Sequence, residues 1–401
     1  MVSTIDMALR DMATLQIDNK VDKITLPTKL SMNGILEVDE INKSITVEPY
    51  VTARCILAII SKLKLTLPCA PNNLDVTVAE MIQNGSVSSS SKKYGLFHHI
   101  ITNYEVLTAS GKVISAKKTK DGAKGNNNAM FYGIPMSKQS IGSLLSVTIR
   151  LIEQSQFVLL TVHPVKLANI SEEMLALAET YKHLTFMDTI FCENGKGLLV
   201  FGEFARTKPA ALTPFTNWNT FTKLISKTEQ EEEYYMDYQV YLDRYKDQYS
   251  LKHIYSGTAK ETLYRFITID NDYLVPLENY NEIATVLSSW KVTPVYLTLV
   301  NVPSLPGIFR QQKGRNLFHV YIKIRQTISK KTFNASLKNC LQMVEERAIE
   351  LGGICLMSNR MFMNEAAFWK MFDASLYRWI RMKYGSETIV PSLYDQVLVD
   401  A

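Results

Sequence analysis

Residues 34–63 read GILEVDEINKSITVEPYVTARCILAIISKL. Two strand-like runs, 35–38 and 44–47, flank a polar turn, which predicts a β-hairpin. Thr52 then stands ahead of Ile56, Ile59, Ile60 and Leu63 at helical spacing, which predicts an N-capped helix. Together with the elements that follow it, this gives strand, helix, hairpin and strand over about 120 residues, an order that fits an α+β domain. Working outward, residues 65–85 (LTLPCAPNNLDVTVAEMIQNG) read as a short strand, a proline-bounded loop and a short helix. Residues 102–118 (TNYEVLTASGKVISAKK) read as a hairpin around Ser110 and Gly111, and 144–152 (LLSVTIRLI) as a strand.

The rest of the composition bounds the function. The chain has 401 residues, 46% of them hydrophobic and 21% charged, which is enough for two or three packed domains and excludes a disordered or collagen-like protein. A net charge of +5 is mild for this length and argues against nucleic acid as a partner. Five cysteines with no C-x-x-C pair suit a reducing compartment and argue against a disulfide framework or a structural zinc site. Of the six histidines only His98 and His99 are adjacent, and neighbours on an extended strand face opposite ways, so no metal site is expected. No apolar run approaches the ~20 residues of a transmembrane helix, and the N-terminal stretch lacks a secretory signal's apolar core. A cytoplasmic protein is expected, with peripheral contact at a membrane such as the endoplasmic reticulum left open. Two polar spots, the serine-rich 86–93 and the basic 117–130, read as surface loops.

Three segments are expected: 1–155, 156–345 and a C-terminal helical segment, 346–401. In the second, strands are expected at TVHPVKL, KGLLVFGEFA, VTPVYLTLVNV and NLFHVYIKI, a helix capped by Ser171, and a helix ending at Gly352 and Gly353. Tyr234, Tyr238, Tyr241, Tyr245 and Tyr249 recur at steps that place them on one helix face. Such a stripe is ordinarily a packing face; the sharper reading is an aromatic wall for a rigid apolar ligand, or an amphipathic helix at a membrane surface. Residues 364–385 (NEAAFWKMFDASLYRWIRMKYG) read as one strong helix, capped by Asn364 and stopped by Gly385.

The motifs at 35–52, 65–82, 89–116 (SSSKKYGLFHHIITNYEVLTASGKVISA), 141–152 (IGSLLSVTIRLI) and 368–385 (FWKMFDASLYRWIRMKYG) resemble the delta-24-sterol reductase family, also called Diminuto or seladin. These are FAD-binding flavoproteins of the vanillyl-alcohol-oxidase type. The resemblance implies an α+β fold: a PCMH-type FAD-binding domain over 1–155 with an incomplete first half, a mixed α/β cap domain over 156–345, and a C-terminal segment that closes over the flavin. It also implies an oxidoreductase that passes hydride from NADPH through FAD to a C=C bond in the side chain of a sterol-like lipid.

Carried over residue by residue, it implies cofactor contacts at Thr77, Val78, Ser89, Ser90, Ser91, Lys92, Tyr94, Gly95, Ser140 and Gly142. Tyr377 is implied as a catalytic hydrogen-bond donor and Arg360 as a phosphate contact, while the expectation of Tyr238, Tyr241 and Tyr245 as substrate wall comes from the tyrosine spacing. The sequence departs from the family at Ala79 and Glu80, where a glycine pair is usual, at Lys92, where a histidine is usual, and at Lys138 and Gln139, where a Cys-Gly pair is usual. A carboxylate at Glu80 would repel a pyrophosphate. These departures support an alternative: a family member that has lost FAD and works as a lipid-binding or protein-interaction module.

Overall fold

A computed structural model describes residues 31–118, 126–181, 183–191, 196–215, 229–245, 266–289, 296–303, 318–329, 335–357 and 361–397. Tyr249, Arg360, residues 1–30 and residues 119–125 of the basic loop lie outside the described residues.

The first sheet is built from β1 (Ile35–Asp39), β2 (Ser44–Val47), β4 (Ile101–Thr108), β5 (Val113–Lys117) and β6 (Gly142–Arg150), while β3 (Leu65–Thr66) pairs separately with β7 (Ile152–Glu153). Its order is β1-β2-β6-β4-β5, antiparallel throughout. Both expected hairpins are present. Alternation along β2 buries Ile45 and Val47 and turns Ser44 and Thr46 outward, as period-2 geometry requires. The helix Ala53–Ile60 is capped by Thr52, whose side chain accepts from the Cys55 amide. Its buried face is Ala53, Ile56, Leu57 and Ile60, with Ile59 exposed, so the stripe is turned about one position from the expected one. Burying each of these large aliphatic side chains contributes roughly 1.5–3 kcal/mol.

The second sheet has nine strands. They are β8 (Phe157–Lys166), β9 (Phe186–Phe191), β10 (Lys196–Ala205), β11 (Thr213–Pro214), β12 (Glu232–Asp237), β13 (Phe266–Pro276), β14 (Tyr296–Asn301), β15 (Phe318–Ser329) and β16 (Ile354–Leu356), in the order β11-β12-β8-β10-β9-β14-β15-β13-β16. Two similar units meet at the β9–β14 pair. In each, a long strand ends in a 3-10 turn (Leu167–Asn169, Leu277–Asn279), enters a helix (Ile170–Thr180, Tyr280–Ser289) and returns through two antiparallel strands. The helix Ala335–Glu350 follows the second unit and ends at Gly352, where φ is 82°.

Three readings are corrected. The tyrosine stripe is not one helix: Tyr234 and Tyr235 lie on β12, which pairs with β8, and among the described residues of the stripe only Tyr238–Leu242 is helical, capped by Asp237. Pairing to a distant strand overrides the local spacing. The C-terminal motif is two helices, Glu365–Phe368 and Ala374–Tyr384, because the Asp373 side chain accepts from the Ser375 and Leu376 amides and starts a new helix. Asn364 and Gly385 cap as expected. Ser171 lies inside its helix rather than at the cap, which is Asn169. Among the described residues no helix is long and apolar enough to cross a membrane.

Candidate cofactor site

The helix Val78–Gln83 begins in a closed capping box: Thr77 Oγ1 accepts from the Glu80 amide, while a Glu80 carboxylate oxygen accepts from the Thr77 amide at 2.7 Å. Glu80 is therefore folded back onto its own helix, its carboxylate held at the cap. The same geometry takes away the anion cradle expected at Thr77 and Val78. The Val78 amide donates to the Val51 carbonyl and the Ala79 amide to Pro49, at 2.9 and 2.8 Å. With Thr77 bound to Glu80, all three amides are engaged, and Val78 is core.

The serine loop is also turned inward. Ser90 Oγ donates to the Pro68 carbonyl at 2.7 Å, Ser91 Oγ accepts from the Ser88 amide at 2.9 Å, and the Ser89 carbonyl accepts from the Met187 amide at 2.8 Å. Ser89 Oγ meets Tyr241 Oη and Arg244 Nη2 at 2.9 and 3.0 Å. Lys92, buried, donates to the Tyr181 carbonyl, and burial lowers its pKa. Tyr94 is half-buried beside the Lys93 ammonium. Gly95 has φ of 77°, and a Cβ there would sit 2.2 Å from His99 Nδ1 and 2.9 Å from the Asn301 carbonyl. Its glycine serves packing against the second sheet rather than approach to a ligand.

Tyr238, Tyr241 and Tyr245 are buried, and their hydroxyls reach Thr66, Ser89 and Asp188. They form the packing face between the two sheets, not an open wall. Tyr377 Oη is committed as well, to Ser140 Oγ at 2.9 Å and to the Leu393 amide at 2.8 Å. Arg381 donates to the Ser140 carbonyl at 2.6 Å. These bonds tie the C-terminal helix to the start of β6, where a Cβ on Gly142 would meet Val106 and the Leu107 carbonyl below 3 Å.

Two cavities lie along this surface. One, of about 160 Å³, opens between the sheets: Asn72, Asn73, Asn84, Gly85 and Ser86 face Asp272, Tyr321, Lys323 and Leu356. Lys323 Nζ pairs with Asp272 at 3.0 Å. The other, of about 280 Å³, is lined by Leu107, Thr108, Lys138, Gln139 and Gly142, with Ile389–Pro391 closing it. Lys138 Nζ donates to Asn84 Oδ1, and the Lys138 amide donates to Gln83 Oε1 at 2.6 Å.

A flavin dinucleotide offers carbonyls, hydroxyls and phosphate oxygens, and wants donors and close backbone. Gly85, at φ of 66°, turns the chain at the cleft, and Leu356 and Met136 fill the place of its missing Cβ. Asn72, Asn84 and Ser86 supply amide and hydroxyl groups, and the buried Gln83 Nε2 has no partner among the described residues. This donor set fits the group. Each cavity alone falls short of the roughly 300–1,000 Å³ of ligand pockets, so an elongated ligand would use both.

Asn72, Asn84, Gln83 and Arg244 were not expected from the sequence. The asparagine-rich run before the capping box, and a lone arginine among tyrosines, were the available signals.

Comparison with known proteins gives an independent view. A family described as FAD binding domain matches residues 13–117. Over 92% of its length the chain is 26% identical to the Delta(24)-sterol reductase of Homo sapiens, covering 77% of that protein. It is 25% identical to a Delta(24)-sterol reductase homolog of Caenorhabditis elegans, over 90% of its own length and 77% of the relative's. A glycolate oxidase subunit of Bacillus subtilis is 27% identical over 31% of the present sequence and 27% of its own.

Proposed function

We propose that this protein, which belongs to the delta-24-sterol reductase family of FAD-binding flavoproteins, reduces a C=C bond in the side chain of a sterol-like lipid and takes its hydride from NADPH. An oxidoreductase of the FAD type is what the matched domain and the relatives support. The single observation that carries the finer reading is the cleft between the two sheets, where a glycine-bearing, amide-rich edge faces Tyr321, Lys323 and Leu356.

FAD, when bound, supplies the hydride relay. Asn72, Asn84 and Ser86 would orient the polar edge of the ring, and Tyr321 and Leu356 would keep water out. Saturating a C=C bond takes one hydride and one proton. Lys323 Nζ, held by Asp272, is a protic group at the cleft and our choice of proton donor. Tyr377 would act through Ser140 by holding the start of β6, as a positioning residue.

The test is spectroscopic. The purified protein should carry flavin absorbance, lose it anaerobically on NADPH, and recover it on addition of a sterol with an unsaturated side chain but not its saturated counterpart. Recovery with both sterols, or with neither, would remove the substrate assignment.

A second reading is favoured by the engaged amides at Thr77–Ala79 and by the Lys138 side chain standing between the cavities: a protein that no longer holds FAD and serves as a lipid-binding or protein-interaction module. Protein that stays colourless after incubation with FAD is its expected outcome.

A further inference from the structure

A dinucleotide has two planar ends joined by a pyrophosphate that carries the negative charge. The two cavities have a matching layout. Asn84 lines the cleft at Gly85, Lys138 lines the cavity at Gly142, and the side chains of these two residues are hydrogen-bonded to each other. We propose that the Lys138 ammonium is the phosphate ligand of a dinucleotide laid across both cavities, one planar end at Gly85 and the other at Gly142. The proposal rests on the FAD reading above and names the residue that would meet the charge.

Four observations carry it. First, the backbone amides expected to meet phosphate at Thr77–Ala79 are engaged elsewhere, so the charge must be met by another group. Second, among the described residues Lys138 is the one charged residue lining its cavity. Across the other cavity, the charged residues Asp272 and Lys323 are paired with each other. Third, the Lys138 amine is held but not neutralised. Its hydrogen-bond acceptor is the neutral amide oxygen of Asn84, while the nearby Glu80 carboxylate is tied into its capping box. A lysine anchored by a neutral group keeps its charge available to an anion.

Fourth, the backbone carries strain here. Met136, Lys138 and Gln139 have φ of 61°, 50° and 60°, a left-handed conformation that costs a non-glycine residue about 1 kcal/mol or more. Glycine would hold this turn more cheaply than the lysine that stands here. Burial lowers the amine to about 8, opposed by Glu80, which leaves it mostly protonated at neutral pH.

The alternative role for this lysine is filler that blocks the site, and the two roles predict opposite signs. Binding of FAD and of riboflavin, which lacks the pyrophosphate, is measured by calorimetry on the full-length protein and on Lys138→Gly, Lys138→Met and Lys138→Arg. The expected result is that Lys138→Gly and Lys138→Met weaken FAD at least about tenfold while riboflavin stays within about twofold, and Lys138→Arg holds FAD within a few-fold. Lys138→Gly should melt no lower than wild type, because glycine relaxes the turn. Two results overturn the inference: FAD bound by Lys138→Gly as tightly as by wild type or tighter, or equal losses for FAD and riboflavin. In either case a wild type that binds FAD keeps its flavoprotein reading. Wild-type protein that binds neither ligand overturns both.

Discussion

Glu345 shows what one buried carboxyl does to the stability of this protein. It lies near the C-terminal end of the helix Ala335–Glu350, almost fully buried, with one oxygen accepting from the Phe362 amide at 2.9 Å and the other without a partner among the described residues. Burial pushes its pKa up to about 8 from 4.5, against the pull of the Phe362 and Met363 amides. Because the folded value is the higher, the native state holds an extra proton between those two values. The stabilisation is complete below about 4.5 and is lost as pH rises through about 8. Glu345→Gln keeps the shape and removes the titration. Thermal melts across this window should show the stability of wild type relative to Glu345→Gln falling with rising pH, on the order of 5 kcal/mol in total. Parallel curves for the two proteins would mean that Glu345 is solvated in solution.

The break between the two C-terminal helices is a matter of capping, and it is testable as such. Asp373 accepts from two amides of the helix Ala374–Tyr384, and this helix carries Tyr377 and Arg381 to Ser140. Asp373→Ala should cost about 1 kcal/mol, read as a lower midpoint in urea with an unchanged slope; a change below about 0.3 kcal/mol would show that the cap does not hold the helix. The aspartate was visible in the sequence, but the apolar spacing of 364–385 continues across it, so periodicity alone joined the two helices.

The same limit explains the tyrosines. Steps of four and three fit a helix, yet β12 is fixed by pairing with β8, and no local pattern reports a partner some 70 residues away in the chain. Where neighbours in sequence are neighbours in space, as in β1–β2, β4–β5 and the Thr52-capped helix, the fold was readable. The inward turn of the serine loop was not, because serine serves equally well as a ligand donor and as an internal hydrogen-bonding group. Its direction depends on Pro68, Met187 and Arg244, which lie far from it in sequence.

How the two sheets are held together decides whether the cleft between them keeps its shape. Arg244 and Asp188 form an ion pair at 3.1 Å, both side chains about 2% exposed. Tyr245 and Tyr296 donate to the same carboxylate, and the guanidinium stacks on Tyr241 and Tyr245 at 4.0 and 4.6 Å. From this position Arg244 also reaches Ser89 in the serine loop and Asn72, a residue of the cleft, each at 3.0 Å. One cation thus joins the second sheet to two loops of the first domain.

Burial raises the Asp188 pKa and the Arg244 charge lowers it, so the pair is balanced only while both members are present. Arg244→Met leaves a buried carboxylate uncompensated and should cost about 3–5 kcal/mol near neutral pH, less in acid, where Asp188 can take a proton instead. Adding Asp188→Leu should recover much of that loss, since two apolar groups can replace a buried pair at little net cost. The double variant still lacks the contacts to Asn72 and Ser89. It should therefore regain thermal stability while remaining more open to proteolysis in the loops at 71–73 and 86–90. Full recovery of both properties would show that packing of the tyrosines, and not Arg244, fixes the cleft.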